Sequence, residues 1–321
     1  MAAGDPLTEL DPRHRRVARR ALDEFNEIEA SLDERERAWL AEVPLAATIA
    51  ALDARSDWRK YSWIGPDLEG VLGRADALGG EAWTGRYLRM VVLVLLARTA
   101  TLAPRLVVPA SVDAERVTEY ERILDEGSRR PLASRITDDR FRKDLELCRD
   151  GLVPVGIFIE EVWPGLPDTV LNACAACNPP LDLVLEKGAH RWLEGHVFQP
   201  RTDEFSEEAS EHALGLVADL LDANADLAGS FGITWYFDPA LATVSPRIAY
   251  LHDQALRTGA LIVRVGPDPS AVAGATATSK TRRLLYEQGT YTPTNYVGIW
   301  LRDPLIRWRR SRVGRGVTST P

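Results

Sequence analysis

The chain has 321 residues, 45% apolar and 27% charged, with a formal net charge of −8. That length supports one large domain or two ordinary ones with a substantial core, and the composition excludes disordered and fibrous classes. Three cysteines are too few for a disulfide framework and point to a reducing interior.

From the amino terminus the pattern is helical. The first twenty residues lack the apolar core of a secretory signal. Val17, Ala21, Phe25, Ile28 and Leu32 recur at three- and four-residue spacing, which places one buried face on a helix. Ser31 with Glu34 resembles a capping box that starts a second helix through Trp39 and Leu40. Further helices are predicted over 67–78, 84–102, 113–126 and 138–150. The last would be capped by Thr137 or Asp138 and closed by Gly151. Met90 to Ala97, the longest apolar run, is far below the roughly 20 residues that span a bilayer. A buried helix and a cytoplasmic protein are expected.

After Gly151 the texture changes. Strands are predicted over 153–163, 190–198, 231–237, 260–265 and 296–301, rich in β-branched and aromatic residues. Helices alternate with them. One covers 206–222 behind a Ser206 cap, with Glu207 and Glu208 in its first turn. Another opens at Ser245-Pro246, a third runs from Ser279 to Gln288, and a fourth opens at Asp303-Pro304. The expected fold class is α/β, with a mixed sheet layer in the C-terminal half and an all-helical N-terminal region. The expected domains are residues 1–150, helical; 151–311, α/β; and 312–321, a flexible tail.

Between the first two strands lies "CAACNPPLDLVLEKGAHRWLEGH". Cys174, Cys177, His190 and His196 satisfy the general two-Cys, two-His spacing of a zinc finger. Lys187 stands at a core position of such a finger, and Gly188 and Gly195 lie where its helix would run, at a cost of roughly 1 kcal/mol each. Read instead as a strand, 190–197 places His190, Trp192, Glu194 and His196 on one face. Glu194 and His196 are then candidate catalytic groups, and His190, Glu194 and His196 an alternative metal set. Glu160 and Glu161 point to opposite faces of the preceding strand, and Glu160 paired with Glu194 would make a carboxylate site. Asp238 follows a strand end, where α/β folds gather ligands, or caps a turn before Pro239. His252-Asp253, late in a helix, reads as structural.

"SKTRR" opens a helix with Ser279, Lys280, Arg282 and Arg283, a physical recipe for a phosphate site. No phosphate loop, dinucleotide fingerprint, nucleophile elbow or His-Glu-x-x-His motif is present. Arginine outnumbers lysine 35 to 4, a codon bias of GC-rich bacterial genomes. From Ser279 to Arg315 the local charge is +7 against −15 for the rest. That basic end suits a phosphate, an acidic partner or a solvated helix face.

The order strand, capped helix, strand, helix, strand and a further strand over 153–301 resembles the GNAT-type acyltransferase superfamily. The resemblance implies an acyl-CoA donor whose pyrophosphate binds at the helix start after the central strand, through an [RQ]-x-x-G-x-[GA] loop. It also implies a Glu or His base near that strand, which Glu194 or His196 supplies. The matching segment is "QPRTDE" from Gln199; Thr202 and Glu204 occupy the glycine or alanine positions, and Asp203 adds a second carboxylate. The loop is therefore absent, and donor binding must differ, through Lys280, Arg282 and Arg283 or through an acyl-carrier protein.

Three functions remain open. The first is small-molecule group transfer of acyltransferase type from a CoA or carrier-protein donor. The second is a metal-dependent enzyme on the 190–197 strand. The third is a non-enzymatic binding protein using the basic end. Neither a nucleic-acid partner nor a membrane partner is expected.

Overall fold

The computed structural model describes residues 10–54, 66–99, 105–127, 139–179 and 181–313. The Thr137 or Asp138 cap, residues 100–102, Pro180 and the tail from Gly314 lie outside them. The chain forms two compact units, one of residues 1–105 and 113–154, the other of 106–112 and 155–321.

The first unit is helical: α1 (Pro12–Ala30), α2 (Glu34–Glu42), α3 (Leu45–Asp53), α4 (Pro66–Thr99), α5 (Ala110–Gly127) and α6 (Asp139–Cys148). Val17, Ala18 and Ala21 form the buried face of α1, as the spacing predicts. The capping box of α2 lies two residues later than expected, on Asp33 and Glu36. Ser31 instead donates its hydroxyl to Ile28 O and ends α1. The two helices predicted over 67–78 and 84–102 form one run, broken at Gly80 by a φ of 67°. Met90 to Leu96 are almost wholly buried apart from Val94, and no described helix is long and apolar enough to cross a membrane. Gly151 N reaches back to Glu146 O and Asp150 N to Leu147 O, a Schellman end for α6. Asp150, at φ 60°, takes the left-handed position rather than glycine.

The second unit is built on a six-stranded mixed sheet of order β1-β2-β3-β4-β6-β5. The strands are β1 (Leu152–Val155), β2 (Phe158–Trp163), β3 (Arg191–Val197), β4 (Leu227–Thr234), β5 (Leu261–Pro267) and β6 (Thr294–Leu301). The single strand expected over 153–163 is thus two, parted at Gly156, whose φ of 68° only glycine adopts cheaply. The helices are α7 (Asp168–Ala175), α8 (Asp182–Glu186), α9 (Glu207–Ala223), α10 (Leu241–Val244), α11 (Pro246–Arg257), α12 (Pro269–Ala277), α13 (Lys280–Glu287) and α14 (Arg302–Val313).

β3 and β4 form the parallel pair and are joined through α9; β2–β3, β4–β6 and β5–β6 pair antiparallel. Parallel neighbours need such a crossover helix. Ser206 caps α9 by accepting from Ala209 N at 3.1 Å. One face of the sheet carries Trp192, Phe231, Val297 and Ile299 in a core closed by Val170 and Cys174 of α7 and Val184 of α8. The basic carboxyl end pairs along the surface of α9: Arg309 with Asp219 and Arg310 with Asp222. Arg312 reaches Glu211 of the same helix. Much of its positive charge is thus met within the unit.

Candidate active site

The β2–β3 register sets Glu161 opposite Glu194 and Ile159 opposite His196. Side chains alternate along a strand, so Trp192, Glu194 and His196 share a face with Glu161. His196 Nε2 lies 3.3 Å from Glu161 Oε2 and 3.8 Å from Glu194 Oε2. Glu161 and Glu194 are buried and His196 is half-buried, so a base and two carboxylates meet where water is scarce. One ligand atom from each lies within 4.8 Å of the others, a grouping that can also hold a metal ion.

This cluster sits at the end of the β3–β4 ladder. β3 and β4 pair at Arg191↔Leu227, Leu193↔Ser230 and Glu194↔Phe231. Beyond that register no further β3–β4 pair forms among the described residues. Gly195, His196 and Val197 on one strand and Gly232, Ile233 and Thr234 on the other are all half-buried. His196 stands two residues past the last of those pairs.

Glu160 is on the other face, opposite Gly195, and does not meet His196. Its Oε2 accepts from Ser230 Oγ of β4 at 3.1 Å. A Cβ at residue 195 would lie 3.0 Å from Glu160 Oε1, so glycine leaves the room for this side chain to cross beneath β3. Burial pushes the Glu160 carboxyl up to about 8, opposed by the Ser230 hydroxyl and assisted by the charge of Glu194.

The other predicted residues lie apart. His190 precedes β3, is exposed, and is not in the Glu161, Glu194, His196 group. Cys174 lies in α7 within the core, and Cys177 Sγ donates to Ala173 O at 3.5 Å. The finger-like spacing therefore runs over two helices and a strand, not over a hairpin followed by a helix. Asp238 follows a 3-10 turn, is buried and accepts from Ala240 N at 3.0 Å, the turn-forming role. His252 contacts its neighbour Asp253 at 3.2 Å.

Ser279 caps α13 by accepting from Arg282 N at 3.3 Å. Arg282 turns back, its Nε donating to Ala275 O at 2.5 Å and Nη1 to Ser245 Oγ at 2.7 Å, with its guanidinium over Trp235. Arg283 Nη2 donates to Thr276 O and Ala277 O. Both arginines thus direct donors at the carboxyl end of α12, and Lys280 and Arg283 are exposed while Arg282 is buried. The sequence reading did not single out Glu161 as a partner of His196. The cross-strand register decides that pairing, and one strand's alternation carries no register.

No protein-family model matches the chain, and no curated protein matches it. The chain is similar to a crystal structure of an acyltransferase mutant in complex with octanoyl-CoA, at 14% identity and a TM-score of 0.39, over 86% of this chain and 99% of that one. It is also similar to an acyltransferase in complex with decanoyl-CoA and teicoplanin, at 15% identity and a TM-score of 0.38, with the same coverage. A third likeness, to an acyltransferase in complex with CoA and 10C-teicoplanin, has 15% identity and a TM-score of 0.38 over 91% of this chain and 96% of that one.

Proposed function

We propose that the chain is an acyltransferase-like enzyme of GNAT type that moves an acyl group from a thioester donor to a small-molecule nucleophile. The observation that carries this reading is the cluster: His196 stands two residues beyond the last β3–β4 pair, Glu194↔Phe231, beside Glu161 and Glu194. The element order β3, α9, β4, α11, β5 and β6 supports the same family resemblance.

His196 takes the proton of the attacking acceptor as the nucleophile closes on the thioester carbonyl. Glu161 orients the imidazole and stabilises its charged form, and Glu194 adds to that field. The carbon–sulfur bond breaks as the tetrahedral species collapses, and the leaving thiolate takes the proton that His196 holds, which restores the neutral imidazole. A diphosphate at the start of α9 does not fit these residues, since Asp203 and Glu204 precede it and Glu207 and Glu208 fill its first turn. A CoA or carrier-bound donor then needs another anchor, and exposed Lys280 is a candidate cation for its phosphate. The chemistry belongs to residues 151–311, and the three free cysteines fit a reducing, cytoplasmic setting.

The test is thiol release from acyl-CoA in the presence of a panel of amines. His196→Ala should lower kcat by ~100-fold or more with donor KM little changed. An unchanged rate removes His196 from the mechanism. The compact Glu161, Glu194, His196 group favours a bound divalent cation as the second reading. Stoichiometric metal lost in both Glu161→Gln and His196→Ala would establish it.

A further inference from the structure

On α11, Tyr250 and Gln254 are four residues apart and share a face. Gln254 is 2% exposed, and its Nε2 donates to Glu207 O in the first turn of α9 at 3.1 Å. Only the NH₂ end of an amide can meet a carbonyl oxygen, so the orientation is decided and Oε1 points away. That Oε1 has no hydrogen-bond partner among the described residues, and neither has the buried Tyr250 Oη. Polar atoms buried without partners are destabilising, and a ligand that supplies the partners recovers that loss.

The surroundings define the ligand. Tyr250 lies within electrostatic reach of Glu207, Tyr236, Glu208 and Arg247. The Tyr236 ring lies 6.1 Å from Phe205, which packs at 5.9 Å on Phe158. All three rings are half-buried. Phe158 pairs with Val197 at the end of β3 and Tyr236 follows β4, so these rings lie beside the carboxyl ends of the two strands. Arg257 pairs with Glu207 and Arg247 offsets Glu208, leaving the corner close to neutral.

We propose that this corner is a recognition subsite for a neutral, amide-bearing segment. An amide N–H meets Gln254 Oε1, a carbonyl accepts from Tyr250 Oη, and the intervening carbons lie on Tyr236 and Phe205. The chemistry is met by the arm of a pantetheine-type donor or by a peptide-like acceptor. The subsite stands independently of acyl transfer, because binding reads it without turnover.

Calorimetry on the full chain tests it with pantetheine, with N-acetyl-glycylglycine amide and with inorganic diphosphate as competitor. Binding of either amide, weakened ~5- to 10-fold by Gln254→Leu and by Tyr250→Phe and undisturbed by diphosphate, is the expected result. Pantetheine alone binding assigns the corner to the donor, and the peptide amide alone to the acceptor. Tyr250→Phe removes one hydroxyl and keeps the test valid if Gln254→Leu fails to fold. Neither amide binding, unaltered affinity in folded variants, or displacement by diphosphate overturns the proposal. Amide binding without turnover of any thioester keeps the subsite and removes the acyl-transfer reading. Turnover with no amide binding does the reverse.

Discussion

Replacing Glu160 by glutamine should stabilise the protein, increasingly so as pH rises. The carboxyl is buried, crosses beneath β3 to Ser230, and titrates at about 8 against 4.5 when exposed. Because the folded value is raised, the folded state holds a proton that the unfolded chain has already released. Stability from this group is highest below about pH 4.5 and is lost as pH rises toward about 8, where the folded carboxyl ionises too. Each unit in that window costs ~1.4 kcal/mol, so the full difference is on the order of 3–5 kcal/mol. Glutamine keeps an oxygen for the Ser230 hydroxyl and carries no charge. Urea denaturation of both proteins from pH 5 to pH 9 isolates the group, since all other titrations cancel in the difference. The stability gap should widen up to about pH 8 and then level off. A gap that stays flat, or one that favours the native Glu160 more at high pH, would refute a buried neutral carboxyl.

Gly195→Ala should cost ~1–3 kcal/mol, because its Cβ meets Glu160 Oε1 at 3.0 Å within a packed sheet. Most of that loss should vanish when Glu160 is alanine, and additive effects in a double-mutant cycle would contradict the contact. Burial holds the Cys174 thiol up at about 11. At pH 8 a thiol reagent should therefore modify it only on the timescale of unfolding, whereas fast native labelling would place it outside the core. Arg309→Met should lower stability by under ~1 kcal/mol, since its pair with Asp219 is about a third exposed on the arginine side, with less effect in high salt. A larger, salt-independent loss in thermal melts would show that its guanidinium matters through packing instead.

Much of the site was legible from residue type and period. Alternation along 190–197 placed Trp192, Glu194 and His196 together, and β3 places them so. The buried helix at 90–97, the Ser206 cap and the order of strands and helices were equally local in origin. His190 was misplaced because a strand's first residue depends on where pairing begins, and here it begins at Arg191. Glu160 and Glu161 are indistinguishable by type and position in sequence. Arg282 and Arg283 looked like phosphate ligands because the sequence shows where a guanidinium is attached and not which way its long side chain turns.

Composition, periodicity and caps thus determined the helical first part, the α/β second part and the strand that carries His196, since these follow from interactions within a few residues. Tertiary structure decided which carboxylate joins that histidine, where the β3–β4 ladder ends, and which buried polar atoms lack a partner among the described residues. Those are matters of register and side-chain direction between segments distant in sequence. Contacts between Glu161 and His196, or Glu160 and Ser230, exist only once the sheet has paired.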